Sequence, residues 1–147
     1  MISKHITFEE ATESSTGARL GIKNIPGDKE LKSMKTLAFV VFEPLREWYS
    51  KPIRINSFYR SPRLNQAIGG ALSSQHVKGE AIDISAGKDS ALLFHWLRQH
   101  VEFDQLIWEF GDDSNPQWVH VSYCDGKNRK QVLRAIKIKG KTVYQPF

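Results

Sequence analysis

The sequence predicts a single α+β domain in which helices pack on an antiparallel sheet of about four to six strands. Helical patterns occupy most of the first half of the chain, and strand-like patterns occupy most of the second half. With 147 residues, 40% of them hydrophobic, the chain is long enough to bury a core of its own. No internal repeat or linker-like stretch divides it, so we expect residues 1–147 to form one domain.

Two helices are predicted before residue 50. Thr7-Phe8-Glu9-Glu10 has the pattern of a capping box, which predicts a short helix ending near Ser14, and a glycine-containing loop follows up to Gly27. From Asp28 onwards, apolar residues recur every three or four positions, as on one face of a long helix. Pro44 should kink this helix or restart its last turn. The apolar face consists of Leu31, Met34, Ala38, Val41, Leu45 and Trp48.

The remaining elements are mostly strands. Alternation over residues 53–57 predicts the first strand, and Ser61 followed by Pro62 is typical of the start of a helix. A further helix is predicted from Asp89 through His100. The other strands are predicted at residues 81–85, 105–110 and 118–123, with a hairpin at residues 132–139 and 141–144 around Gly140.

The formal net charge of +5 is unevenly distributed along the chain. Residues 125–147 contain seven Lys and Arg and one Asp, a net +6, whereas residues 1–124 carry a net −1. A uniformly basic surface is therefore excluded, and nucleic-acid binding would rest on the tail alone, so we expect no nucleic-acid partner. We interpret residues 125–147 as a basic hairpin that extends the domain and helps to hold it against an anionic surface.

Membrane-spanning and disulfide-rich proteins are also excluded. The longest apolar run, residues 37–42, is far too short to cross a bilayer, and the single Cys124 cannot form an internal disulfide. The N-terminus shows no apolar segment of a secretory signal. We therefore expect the protein to be cytoplasmic as synthesised and to act elsewhere only after release or export.

The segment from Ser74 to Asp83 carries the clearest chemical signal. His76 and Asp83 lie on either side of Gly79, which can make the tight turn that returns the chain. Asp83 is flanked by isoleucines in a strand that looks buried, and a buried carboxylate needs a partner. A divalent metal ion would provide one.

A second histidine completes a possible ligand set. His120 is predicted in the middle of a strand, pointing away from its two valine neighbours. Two histidines and one carboxylate would leave the fourth position of a zinc ion open, which is typical of catalytic rather than structural sites. The alternative is that each histidine caps a loop or binds a backbone carbonyl while Asp83 pairs with an arginine.

These residues resemble a known family, that of the zinc D-alanyl-D-alanine carboxypeptidases, which also contains L-alanyl-D-glutamate endopeptidases of phage lysis. The resemblance covers most of the chain, and the segment from the long helix to Tyr123 also resembles the small, single-domain phage and prophage members. It implies a hedgehog-like fold. The matching residues are Ser74-x-His76-x-x-Gly79-x-Ala81-x-Asp83, Trp118-x-His120 and, upstream, residues 52–62 with Leu64-Asn65 and Gly69-Gly70.

The resemblance implies roles for individual residues. His76, Asp83 and His120 would be the zinc ligands. Arg60 would bind the substrate carboxylate or the scissile carbonyl, unless it is a surface arginine that caps a helix. Ser74 would bind substrate or orient the loop, unless it is a simple loop-capping serine.

The general base departs from the better-known family pattern. Many members place a carboxylate three residues before the last ligand, but that position here is Gln117, which cannot accept a proton. We predict that Glu109 is the base, because a partly desolvated carboxylate near zinc suits proton transfer. The alternative is an edge-strand glutamate paired with a lysine, and Asp112 and Asp113 are the reserve candidates.

The sequence thus predicts a monomeric zinc metallopeptidase that cleaves peptidoglycan stem peptides. It would act as a D-Ala-D-Ala carboxypeptidase or as an endopeptidase of the endolysin type, reaching the cell wall after release or export. The alternative function is a catalytically inactive, zinc-containing module that binds the cell wall. Gln117 supports this alternative, because it stands where many family members have a carboxylate.

Overall fold

A computed structural model describes all 147 residues. Six strands form one sheet in the order β1-β2-β4-β3-β5-β6, in which every neighbouring pair is antiparallel except β3 and β5. The predicted α+β class is confirmed, with one parallel pair inside the sheet. The strands are β1 (Arg54–Ser57), β2 (Ala81–Ser85), β3 (Gln105–Glu109), β4 (Trp118–Ser122), β5 (Gln131–Ile138) and β6 (Lys141–Pro146).

Six α-helices and three short helical segments of other types connect and cover these strands. None of them is long and apolar enough to pass through a bilayer. The α-helices are α1 (Phe8–Thr12), α2 (Ser15–Leu20), α3 (Asp28–Leu37), α4 (Glu43–Tyr49), α5 (Pro62–Ala67) and α6 (Ser90–His100). The other segments are a π-helix (Ala38–Phe42) and two 3₁₀ turns (Gln75–Lys78 and Gly87–Asp89).

Two details of the helices differ from the sequence prediction. The region predicted as a loop after Ser14 begins with α2, because the Ser14 hydroxyl accepts a hydrogen bond from the Gly17 amide and caps a new helix. The predicted long helix is continuous but contains a π-helical turn just before Pro44, where the Glu43 amide reaches back to the Ala38 carbonyl. This wider turn accommodates a proline that has no amide hydrogen to donate.

One face of the sheet packs on the helices and forms the core. Because side chains alternate along a strand, every second residue of a strand points to the opposite face instead. Asp83, His120 and Glu109 all lie on that opposite face. The core residues of the sheet are Ile82, Ile84, Leu106, Trp108, Val119 and Val121, and they pack in one cluster with Leu37, Val41, Leu45, Leu93, Phe94 and Leu97.

The basic hairpin is part of the sheet. β5 pairs with β3 over five register positions and β6 pairs with β5 over six, so residues 131–146 add two strands to the edge. Before the hairpin, Arg129 makes two side-chain hydrogen bonds of 2.8 and 2.9 Å to the buried carboxylate of Asp104. After it, the ring of Phe147 packs against Phe94 and Trp108 on the helix-covered face. Both ends of the hairpin are therefore fixed to the domain.

Candidate metal centre

Three predicted ligands meet on the helix-free face of the sheet. Asp83 in β2 pairs directly with His120 in β4, so their side chains project side by side. His76 comes from the 3₁₀ turn that precedes β2, and Gly79, at a φ of 71°, ends this turn in the left-handed conformation. The structure thus brings together residues separated by up to 44 positions in the chain.

The hydrogen bonding of His76 leaves its second ring nitrogen free to bind a cation. Its Nδ1 lies 2.7 Å from the carbonyl oxygen of Phe58, and because a carbonyl can only accept, Nδ1 must carry the hydrogen. The buried Nε2 is then a bare lone pair, has no hydrogen-bond partner, and lies 3.2 Å from Asp83 Oδ2. Two electron-rich atoms facing each other at this distance are stabilised by a positive ion between them.

The protonation states of these groups also suit metal binding. Burial lowers the pKa of His76, which keeps the imidazole neutral and available as a ligand despite the attraction of Asp83. Burial opposes ionisation of Asp83, but positive charge at the two histidines and the hydrogen bond from His120 outweigh it and hold the pKa of that carboxyl well below its usual range. A cation at this position, a proton or a metal ion, therefore keeps Asp83 ionised. Asp83 is therefore a carboxylate at neutral pH.

The distances between the donor atoms fit a single small ion. His120 Nδ1 lies 2.9 Å from Asp83 Oδ1, and the donor atoms of all three residues lie within 4.8 Å of one another. A tetrahedral zinc ion with bonds of about 2.0–2.1 Å has ligand atoms about 3.3 Å apart. His76, Asp83 and His120 can therefore hold one divalent ion, and three protein ligands leave a coordination position open.

Arg60 lies next to this group. Its Nη2 donates to Asp83 Oδ2 at 3.4 Å, while its Nε donates to the Ser57 hydroxyl at 3.1 Å and its Nη1 to Asn65 Oδ1 at 3.4 Å. Burial lowers the pKa of Arg60. A mostly buried guanidinium fixed by three partners carries positive charge to the edge of the candidate site, so the pairing of Asp83 with an arginine coexists with the ligand arrangement.

Glu109 faces the same site from the end of β3. It is only 7% exposed, and burial raises its pKa to about 7, with Asp83 adding to the rise and His120 and Arg60 opposing it. Its carboxyl forms no ion pair with a lysine, which was the alternative interpretation of this residue. A carboxyl group poised near neutrality beside a metal-ligand set can accept and return a proton.

Comparison with known proteins decides the family. The sequence profile of the family described as Peptidase M15 matches residues 4–122, which include every site residue described so far. The chain belongs to the peptidase M15 family. It is also 30% identical over 77 residues to the zinc D-Ala-D-Ala carboxypeptidase of Streptomyces albus G. That alignment covers 52% of this chain and 30% of the relative, so the chain spans less than a third of that protein's length.

The other acidic and polar candidates of this M15 chain have local structural partners. Asp112 accepts hydrogen bonds from the amides of Ser114 and Asn115, and Asp113 is 94% exposed and pairs with an arginine. The side chain of Gln117 is exposed, and its backbone amide donates a hydrogen bond to the backbone carbonyl of Glu109. Neither aspartate has the buried, electrostatically coupled position of Glu109.

Ser74 precedes the 3₁₀ turn that carries His76. Its hydroxyl accepts a hydrogen bond of 3.3 Å from the His76 amide, so it caps the turn and helps to orient the first ligand. This contact is compatible with the loop-orienting role predicted for Ser74, and substrate binding by Ser74 stays a prediction.

Sequence reasoning missed Tyr144, which the hairpin places on this face. Ala135 pairs with Glu109 on one side and with Tyr144 on the other, so the three side chains lie in one row across the sheet. The turn at Lys139-Gly140, where both residues have positive φ, gives a local signal that Ala135 opposes Tyr144. The partner of Ala135 in β3 carries no such local signal.

Proposed function

We propose that this M15 protein is a zinc-dependent peptidase that hydrolyses peptidoglycan stem peptides, as a carboxypeptidase or an endopeptidase. The observation that carries the proposal is the ligand set with an open position, flanked by the near-neutral carboxyl group of Glu109. The named activity of the carboxypeptidase relative supports this substrate class. Action on the wall after release or export is part of the same proposal.

His76, Asp83 and His120 would hold the zinc ion. Two imidazole nitrogens favour zinc over magnesium or calcium, which prefer oxygen ligands. When bound, zinc polarises a carbonyl group and lowers the pKa of water. The hydrogen bond from His76 Nδ1 to the Phe58 carbonyl and the cap from Ser74 fix the orientation of the first ligand.

Glu109 would act as the general base and then as the acid. With a pKa of about 7, its carboxylate can take a proton from the attacking water and return it to the leaving amine. Asp112 and Asp113 are exposed loop residues, unlike Glu109. The base would therefore come from β3 and take over the role that Gln117 cannot perform.

Arg60 would bind a negative group of the substrate. Its guanidinium is held by Ser57 and Asn65, so a carboxylate or a developing oxyanion would meet a fixed donor. Since its Nη2 already contacts Asp83, the same side chain also helps to orient that ligand.

The experiment compares the zinc-loaded wild type with Glu109→Gln and with Glu102→Gln, an exposed glutamate just before the same strand. The substrates are a synthetic peptide ending in D-Ala-D-Ala and muropeptides from several wall types, with products read by mass spectrometry. We expect Glu109→Gln to bind one zinc ion and lose about 10²–10⁴-fold in kcat, and the control to keep its activity.

The products decide between the remaining possibilities. Release of a terminal D-alanine assigns a carboxypeptidase, and internal cleavage assigns an endopeptidase. Stoichiometric zinc with wall binding and no hydrolysis by the wild type would overturn the proposal in favour of an inactive binding module. A fully active Glu109→Gln variant would assign the base to another group.

A further inference from the structure

The hairpin extends the face of the sheet that carries the metal-ligand set. Glu109 pairs with Ala135, and Ala135 pairs with Tyr144, so Tyr144 projects from the same face two strands beyond Glu109. The position of Phe147 confirms this orientation independently. Its ring packs on Trp108 on the helix-covered face, and alternation along the chain then places Tyr144 on the opposite side.

The residue between Glu109 and Tyr144 in this row is small. Neighbouring strands lie about 4.8 Å apart, so the Cα atoms of Glu109 and Tyr144 are separated by about 10 Å. Ala135, which lies between them, has no side chain beyond Cβ and is fully buried. A tyrosine side chain can therefore extend across it towards the glutamate.

The pKa of the Tyr144 phenol depends on charges at the candidate site. Burial raises the pKa of Tyr144, and the charges of Glu109 and Asp83 raise it further. In turn, Tyr144 is among the groups that raise the pKa of Arg60. The hydroxyl group therefore keeps its proton at neutral pH and remains a hydrogen-bond donor within electrostatic range of the site.

Tyr144 is also accessible and held in place. It is 55% exposed, so its ring can contact a bound molecule. The Arg129–Asp104 ion pair at one end and the packing of Phe147 at the other keep the hairpin in position. A rigid aromatic ring with a polar tip contacts a ligand at a low cost in side-chain entropy.

We propose that Tyr144 is a substrate-contacting residue whose hydroxyl group donates a hydrogen bond to a backbone carbonyl of the peptide on the hairpin side of Glu109. This inference rests on the proposed function, because it takes the substrate to be a peptide. It assigns a recognition role to the hairpin, which lies beyond residues 4–122 matched by the M15 profile.

The test uses Tyr144→Phe, Tyr144→Ala and a matched control, Gln145→Ala. Gln145 is exposed on the same strand but pairs with Arg134 and faces the other side of the sheet. We would measure kcat and KM on a synthetic peptide ending in D-Ala-D-Ala. In parallel, peptide binding would be titrated calorimetrically on the zinc-loaded Glu109→Gln protein with and without each hairpin substitution, and zinc affinity would be measured by chelator competition.

Tyr144→Phe should raise KM and the peptide Kd about fivefold, and Tyr144→Ala about tenfold or more, since the first removes one hydrogen bond and the second also removes the ring contact. We expect kcat and zinc affinity to stay within about twofold, and the control to match the wild type. Unchanged peptide binding in both tyrosine variants would overturn the proposal, as would an equal loss in Gln145→Ala.

The binding experiment separates this proposal from the proposed activity. If the wild type binds the peptide but does not hydrolyse it, the peptidase proposal fails, and the effect of the tyrosine substitutions on Kd still decides the role of Tyr144. If the zinc-loaded protein binds no peptide, the role of Tyr144 in recognition is overturned as well.

Discussion

The centre of the sheet and its hairpin edge present different surfaces on the same face. At the centre, a buried carboxylate, Asp83, is contacted by two histidines and by Arg60, and its side chain is 8% exposed. At the edge, most side chains of β6 are exposed, and residues 125–147, which include both hairpin strands, carry a net charge of +6. The M15 profile covers the centre and ends before the edge begins.

This difference separates the requirements of chemistry from those of recognition. Shifting a carboxyl pKa towards neutrality and keeping a histidine uncharged require removal from water, which the centre provides. Contact with a long, polar peptide requires accessible donors and charges, which the edge provides. We therefore expect substitutions at the centre to affect metal binding and stability strongly, and substitutions at the edge to have smaller effects, mainly on affinity.

The largest expected effect is the loss of zinc binding in Asp83→Asn. The substitution keeps the shape of the side chain but removes the charge that the two histidines and Arg60 surround. Because loss of an outer-sphere partner alone costs about 10–100-fold in metal affinity, loss of this ligand should cost at least about 100-fold. Chelator competition measures it, with exposed Asp113→Asn as the control. Zinc binding as tight as that of the wild type would show that Asp83 is not a ligand.

A second prediction concerns the pH dependence of stability in the zinc-free protein. The pKa of Glu109 is about 7 in the folded protein and 4.5 ordinarily, so between these values the folded state holds a proton that the unfolded state has lost. Stability from this group is complete below about pH 4.5 and is lost as the pH rises through 7. At about 1.4 kcal/mol per unit, the loss is roughly 3 kcal/mol.

Urea unfolding of the wild type and Glu109→Gln at pH 5 and pH 8, with chelator present, measures this effect. Glutamine at position 109 does not titrate. The free energy of unfolding of the wild type should therefore fall relative to that of the variant at the higher pH. An equal difference at both pH values would contradict the burial of this carboxyl group.

The central region was largely predictable from sequence because its signals are local. The turn at Gly79, the isoleucines around Asp83 and the valines around His120 give both the strands and the side of each strand that carries the ligand. In the structure Asp83 pairs directly with His120, in agreement with the expectation that these residues lie together. Glu109 lies on the same face of the sheet because β3 pairs with β4 in an antiparallel arrangement, and its role as the base stays a prediction.

The edge was less predictable because its key contact is not local. The sequence indicates the hairpin through Gly140, but it gives no signal that β5 pairs in parallel with β3, skipping β4. Without that pairing, Ala135 and Tyr144 cannot be assigned to the row of Glu109. The second helix was missed for a different reason: Gly17 suggests a loop, whereas the cap from Ser14 outweighs the low helix propensity of glycine.

An intermediate effect is expected where the two regions are joined. Asp104 accepts hydrogen bonds from Arg129 that lower its pKa to about 2, so its charge contributes stability above about pH 4 that is lost as the pH falls towards 2. Asp104→Asn should reduce the free energy of unfolding by roughly 1–2 kcal/mol at pH 7, because Arg129 is 60% exposed and the pair is partly screened. Since the hairpin carries Tyr144, KM should rise as well.

Combining Asp104→Asn with Arg129→Ala in a double-mutant cycle measures the coupling between the two residues by urea unfolding. Additive losses would mean that the ion pair does not hold the hairpin. A loss of stability with no change in KM would show that the position of the hairpin does not matter for peptide binding.

The smallest expected effect concerns the exposed lysines of the hairpin. Lys137, Lys139 and Lys141 lie around the turn, and replacing all three with glutamine removes about half of the local excess charge without touching the centre of the sheet. Exposed charges act over roughly 10 Å at 0.1 M salt. Sedimentation with purified anionic peptidoglycan should therefore show a few-fold weaker association for the triple variant at low salt, and the difference should vanish at 0.5 M salt, while kcat on the small peptide stays the same. A salt-independent loss would instead indicate a specific contact, and no loss would leave Tyr144, rather than charge, as the contribution of the hairpin.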